Sequence, residues 1–387
     1  MKTAKVLIAG GSIGGLTAAL ALLQRGFEVE VFESARAWAD IGAGVTLAPN
    51  AMRVMQHLGI ADEIEAKAIE PVRQQVRHWQ DGRVLMALDR GTRMRDLYGA
   101  PYVYAHRADL HVILVAAVEA LGGQLHLSST VVSVEADAEG AHLTLGDGTI
   151  VTGDLVVGAD GLKSVVRLLQ EPAPAHFTGH IAFRALVPVT PELRDLADNP
   201  GNFIGPGRLA VFYPLREGAV LNLVFFGRQP GWTDDGWTIP ARRAELETLF
   251  AGWCEPVQRM IAAADEAQLF KWAINARTPL ATWSIDGRIT LLGDAAHAMT
   301  PFLGQGASSA IEDGLVLARS LAAAGTLPEA LTRYEAARIA RTSMIQTESN
   351  DNADRMQGDD ADLFGMSKLR NEETLGLFAY DAGTVAI

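Results

Sequence analysis

Two kinds of apolar pattern alternate along the chain. Short, almost wholly apolar runs end at glycines: Lys5 to Ala9, Asp154 to Gly158 and Arg288 to Gly293. Runs of that length bounded by glycine fit strands buried on both faces of a parallel sheet. Longer segments intervene. Ile13 to Arg25 reads as a helix closed by Gly26, a residue suited to a left-handed cap, and residues 28–32 read as the next strand. Gly304-Gln-Gly-Ala307 opens a helix predicted to run through about Ala323, and another extends from Thr326 to about Thr347. Between these, Gly179 to Pro188, Arg208 to Leu215 and Val220 to Gly227 read as strands of one mainly antiparallel sheet. Residues 228–240, with Pro230, Gly231, Gly236 and Pro240, read as a long loop. No internal repeat or low-complexity tract interrupts the pattern.

Length and composition narrow the function classes. At about 150 residues per domain, 387 residues suggest two or three domains. Apolar residues make up 49% and charged residues 20%, a globular profile. Acidic residues outnumber basic ones 46 to 33, giving a net charge of −13. Such a surface repels phosphate backbones and anionic membranes, so neither a nucleic-acid nor a membrane partner is expected. Cys254 is the only cysteine, which excludes an internal disulfide and a thiolate zinc cluster and fits a reducing, cytoplasmic setting. Val6 to Leu23 is an uncharged run of eighteen residues behind Lys2 and Lys5, but Gly10, Gly11, Gly14 and Gly15 weaken its reading as a signal or membrane helix.

A strand, tight turn and helix account for those glycines better. Gly10-Gly-Ser-Ile-Gly-Gly15 lets backbone and helix N-terminus approach a pyrophosphate, whose charge the helix dipole favours. Glu33 ends the second strand, near the distance expected for a ribose-binding acid. Ser12 stands where the dinucleotide fingerprint has its second glycine. By itself this unit does not distinguish FAD from NAD(P).

Taken with this unit, Asp160-Gly161 (followed by Ser164 and Arg167), Gly293-Asp294-Ala-Ala-His297, Pro301, Gly304-Gln-Gly-Ala307 and His106-Arg107-Ala-Asp-Leu110 give the chain a strong resemblance to a known family. It resembles the single-component (class A) FAD-dependent aromatic hydroxylases, similar to salicylate, 3-hydroxybenzoate and 6-hydroxynicotinate hydroxylases, over nearly its whole length. The resemblance implies an α/β fold: a Rossmann-like FAD-binding domain and an α+β substrate domain on a mainly antiparallel sheet. Residues 1–70, 101–173 and 275–350 would form the first, 71–100 and 174–274 the second, and 351–387 a C-terminal segment. It implies that Gly10, Ser12, Ile13, Gly14 and Gly15 surround the FAD pyrophosphate, with Glu33 on the adenosine ribose and Arg107 near the flavin or phosphates. Asp160 and Gly161 would serve FAD and the nicotinamide cosubstrate, and Gly293 and Asp294 the ribityl and pyrophosphate portion. Gly304, Gln305, Gly306 and Ala307 would bring their amides to the flavin ring, beside Pro301. No second Gly-rich unit follows residue 150, so NADH or NADPH would dock transiently on the FAD domain.

The implied reaction is NAD(P)H- and O2-dependent hydroxylation of a small aromatic or N-heteroaromatic compound through a flavin C4a-hydroperoxide. Tyr213, Pro301 and Gly304 are the candidate catalytic positions. Candidate substrate contacts are Leu47, Phe183, Arg184, Leu209, Val211, Tyr213, Leu223, Trp272 and Phe302, with Val45, Leu221 and Arg208 also considered. Leu209 is a departure: the salicylate and hydroxybenzoate branch often carries histidine four residues before the tyrosine matching Tyr213. A urate- or tetracycline-type hydroxylase and a non-oxygenating FAD-dependent reductase therefore stay open. The histidines show no metal-ligand spacing, so no metal is expected. The sequence leaves monomer and homodimer equally open.

Overall fold

The computed structural model describes residues 4–38, 44–234, 236–365 and 371–387. Its first layer is a five-stranded parallel sheet in the order Ile289–Leu291, Leu155–Gly158, Lys5–Ala9, Glu28–Phe32, Gln124–His126. The uncharged run that began at Val6 thus divides into a central strand, a turn and the helix Ile13–Leu23. Among the described residues no helix is long and apolar enough to cross a membrane.

That helix crosses a second one, Gly306–Ala323, and small residues set how close they come. A Cβ on Gly314 would stand 2.7 Å from the Ala18 amide nitrogen, and one on Gly14 would stand 2.9 Å from the Ala310 Cβ. Both helices bury leucine, isoleucine or valine against one core shared with the parallel sheet.

The other large layer is an eight-stranded mixed sheet. Its order is Ile239–Pro240, Phe270–Ala276, His176–Pro188, Val220–Arg228, Arg208–Leu215, Gly201–Gly205, Arg73–His78, Val84–Asp89. Neighbours run antiparallel except Gly201–Gly205 and Arg73–His78. Side-chain alternation divides its two faces. Phe183, Phe212, Leu221, Leu223 and Phe225 form one core with Leu246, Val257 and Met260 of the helices Arg243–Leu249 and Glu255–Ala263. Ala182, Leu209, Val224, Phe226 and Trp272 belong to the opposite face, which looks toward the parallel-sheet layer. The antiparallel strand pair Gly44–Leu47 and Val103–His106 lies at the junction.

Two expectations need correction here. The loop after Arg228 ends in a short strand, Ile239–Pro240, paired with Phe270 and Lys271. The long helix is Leu327–Met356, capped by Thr326, and so continues nine residues beyond Thr347. Its polar last turns persist because they have buried partners: Ser349 Oγ donates to the Thr300 carbonyl at 2.5 Å, and Asn352 Nδ2 to the Phe302 carbonyl at 2.7 Å.

Candidate active site

A cavity of about 770 Å3 runs between the two layers. At one end its wall is glycine-rich: Ser12, Ile13 and Gly14 at the start of the first helix, Ala159 and Gly161, Gly293 and Asp294, then Gly304, Gly306 and Ala307. Ser12 caps that helix, its hydroxyl accepting from the Gly15 amide at 3.5 Å. A serine at this place in the fingerprint therefore serves the turn. Gly10 and Gly15 lie off the cavity wall and are required by packing: a Cβ on Gly10 would meet the Ala159 carbonyl oxygen at 2.4 Å, and one on Gly15 the Gly10 carbonyl oxygen at 2.1 Å. Gly306, by contrast, faces open space, with nothing within 4 Å of a Cβ placed there.

The acids of this half are used differently. Asp294 projects into the cavity; burial raises its carboxyl pKa, against the pull of His297 and Arg107. Arg107, first residue of the helix Arg107–Ala120, also lines the cavity. Glu33 is turned onto the glycine-rich turn, where its carboxylate accepts from the Gly11 and Ala35 amides at 2.8 Å each. Asp160 is likewise folded into its own loop. Its Oδ2 accepts from the Val165 amide at 2.8 Å, while Oδ1 is buried with no partner among the described residues. Gln305, 2% exposed, also points its side chain away from the cavity. An open glycine-walled cradle, a helix N-terminus at each side and one carboxylate projecting into it fit FAD.

Beyond this cradle the lining is mainly apolar on the sheet side, although Gln74, Asn202, Asp354, Asp359, Asp360 and Glu372 also border the cavity. Leu209, Val211, Tyr213, Val224, Phe226, Trp272, Pro301 and Phe302 line it, together with Val45 and Thr46 of the strand Gly44–Leu47. Arg184 lies on this wall with its guanidinium 5.0 Å from the Trp272 ring centre. Its Nε is buried without a hydrogen bond, and no carboxylate pairs with it among the described residues. Burial lowers its pKa, with Tyr213 opposing and Arg107 adding to the shift. Tyr213 stacks on Tyr104 at 4.5 Å and packs against Gly44, where a Cβ would come within 2.4 Å of its ring. Burial pushes its pKa up to about 12, against the opposing pull of Arg184 and the Thr46 hydroxyl.

Several candidates lie elsewhere. Phe183, Leu221 and Leu223 face the helical core, because neighbouring positions on a strand point to opposite faces. Their places on the cavity are taken by Arg184, Val224 and Phe226. Leu47 is buried in the parallel-sheet core, one residue past Thr46 on the same strand. Arg208 begins its strand off the cavity wall. Sequence reasoning missed Gln74, Val76, Met86 and Leu88, which reach the cavity from the sheet's far edge. It also missed the end of the long helix and the segment after it, where Met356 and Phe364 close another side. Alternation in residues 73–89 could have signalled a strand pair, but which face it would present depends on the sheet order.

Comparison with known proteins agrees with this arrangement. A family model described as an FAD binding domain matches residues 3–349. The chain is 37% identical over 350 residues to a 3-amino-4-hydroxybenzoate 2-monooxygenase of Streptomyces platensis, covering 90% of this chain and 87% of that protein. It is 36% identical to the 3-hydroxybenzoate 6-hydroxylase of Polaromonas naphthalenivorans, with 89% and 86% covered. It is 34% identical to the 6-hydroxynicotinate 3-monooxygenase of Bordetella bronchiseptica, with 90% and 91% covered. Among solved structures, Klebsiella pneumoniae HpxO complexed with FAD and uric acid superposes with a TM-score of 0.86 at 27% identity, covering 97% and 95% of the two chains. With a family model over most of its length and relatives of this kind, the chain belongs to the FAD-binding-domain family of single-component aromatic hydroxylases and is a flavoprotein monooxygenase.

Proposed function

We propose that this enzyme uses NADH or NADPH and O2 to hydroxylate a small aromatic or N-heteroaromatic carboxylate. The observation that carries the substrate class is Arg184, a guanidinium with no carboxylate partner among the described residues, set among mainly apolar side chains and braced by Trp272. Burying an unpaired guanidinium is costly, and a ligand carboxylate would offset that cost. The three relatives compared by sequence are named for hydroxybenzoate or hydroxynicotinate substrates, which supports the same reading.

In this reading the glycine-walled half holds FAD. Ser12 to Gly14 and the start of their helix receive the pyrophosphate, Asp294 and Arg107 flank the flavin half, and Glu33 acts on the adenosine side. The Gly304–Ala307 turn presents backbone amides and the N-terminus of an 18-residue helix to the flavin ring. A helix N-terminus favours negative charge by roughly 0.3–1 kcal/mol, so it stabilises reduced flavin. Bound FAD supplies the electron transfer and oxygen activation. The protein orients the ring, excludes water and anchors the carboxylate. Tyr213 stays neutral near pH 7 and acts as a hydrogen-bonding wall, with Thr46, in place of a base. The parallel-sheet layer then serves as the FAD domain and the eight-stranded sheet as the substrate domain, and the segment after Met356 closes the cavity between them.

The test is a panel of hydroxybenzoates, aminohydroxybenzoates, hydroxynicotinates and their decarboxylated counterparts, read by stimulated NAD(P)H oxidation. Stimulation by an aromatic carboxylate and its loss on decarboxylation are expected. Stimulation by uncharged or purine rings alone would overturn the substrate class.

A further inference from the structure

The turn Gly304–Ala307 meets the cavity through its backbone, so its position depends on what holds its inner side. The Gln305 side chain points inward, and its Oε1 accepts a hydrogen bond from Asn50 Nδ2 at 3.1 Å. The same nitrogen donates to Glu312 Oε1 at 2.7 Å. Glu312 is fully buried and already neutralised: Arg338 lies 2.6 Å away, and Arg341 forms two hydrogen bonds of 2.9 Å. Burial raises its pKa, but these two guanidiniums outweigh that and hold it below the ordinary value. The Glu312 charge is therefore held chiefly by the two arginines, with the Asn50 amide a lesser contributor.

What Asn50 adds is a link between elements. It lies on the helix Pro49–His57, directly after the strand Gly44–Leu47 that carries Val45 and Thr46 to the substrate half. Its two amide protons match two acceptors, one on the turn and one on the anchored Glu312. An aspartate could donate to neither, and an apolar side chain would leave the buried Gln305 oxygen without its donor.

We infer that Asn50 is a positioning residue: by fixing Gln305 it holds the Gly304–Ala307 turn at the flavin and in register with the substrate-side strand Gly44–Leu47. This rests on the reading that the turn contacts the flavin ring. The test is a double-mutant cycle in the full-length protein with Asn50→Ala, Gln305→Ala and both together. The FAD dissociation constant and the visible flavin absorption bands are measured for each. Each single variant is expected to weaken FAD about tenfold, the scale of one or two buried hydrogen bonds. Both should move the bands the same way, and the double variant should be no worse than Gln305→Ala alone. Effects that multiply in the double variant, or Asn50→Ala leaving both readouts unchanged while Gln305→Ala moves them, would overturn the inference and leave the flavin turn intact as a reading. No effect from Gln305→Ala would overturn both. Should Asn50→Ala not fold, Asn50→Ser, which keeps one donor, replaces it in the cycle.

Discussion

At residue scale, the proposed reaction gives Arg184 and Tyr213 separable duties. Replacing Arg184 with methionine keeps bulk against Trp272 but removes the charge. A hydrogen bond to a charged partner is worth about 1.5–3 kcal/mol, so the KM for an aromatic carboxylate should rise roughly 10- to 100-fold with FAD content unchanged. Equal loss on charged and uncharged rings in steady-state kinetics would place Arg184 outside the carboxylate site. Tyr213→Phe should keep FAD and lose up to about tenfold in affinity, with less product formed per NAD(P)H consumed. With its pKa pushed up to about 12, Tyr213 should contribute no ionisation to the pH–rate profile through the neutral range. A loss of several orders of magnitude on Tyr213→Phe would point instead to proton transfer. Tyr213, Leu209 and Val211 were legible in the sequence because alternation puts them on one face. Phe183 and Arg184 were not separable that way: both neighbours suit an aromatic site, and only the paired strands show which one faces inward.

At the scale of elements, the glycine-rich turn and its flanking strands could be read directly. Lys5–Ala9 and Glu28–Phe32 end where the apolar runs end. Less legible was the reason for glycine at 314. It is set by the crossing helix, a partner about three hundred residues away in sequence. Gly314→Ala forces its new methyl to within 2.7 Å of the Ala18 backbone, which cannot retreat as a flexible side chain would. A destabilisation of about 1–3 kcal/mol is expected in denaturant unfolding. No measurable change would mean that the two helices are farther apart than described. The helix end at Met356 escaped sequence reading for a related reason: Ser349 and Asn352 look solvent-directed until the Thr300–Phe302 backbone supplies their partners.

For the whole molecule, both halves of the cavity depend on one buried charge network and on a distant tail. Asp313 accepts from His297 at 2.6 Å, from Arg338 at 2.7 Å and from the Gly293 amide at 3.0 Å. Burial raises its pKa, yet these partners outweigh it and hold the carboxyl at about 2, below its ordinary 3.8. An acid with a depressed folded pKa stabilises the fold above its unfolded value, and that stability drains as pH falls toward the folded value. Melting temperature should therefore fall between about pH 4 and pH 2, and Asp313→Asn should flatten that part of the profile. An unaltered slope in the variant would remove Asp313 from the acid response. The tail is held by Arg53, which donates to the Phe378 carbonyl at 2.6 Å, and by Arg319, which donates to the Ala382 carbonyl at 2.7 Å. Neither arginine sits in a recognisable motif, so the sequence did not show where the last residues dock.

The central claim is that this cavity joins bound FAD to an aromatic carboxylate for oxygen insertion. Its most direct test is turnover of the stimulating carboxylate under isotopically labelled O2, with mass analysis of the product. The account predicts a yellow, FAD-containing protein whose product carries one labelled oxygen atom on the ring, with the carboxylate intact. NAD(P)H consumption yielding only peroxide with every aromatic carboxylate tried, or a product oxygen drawn from water, would contradict it.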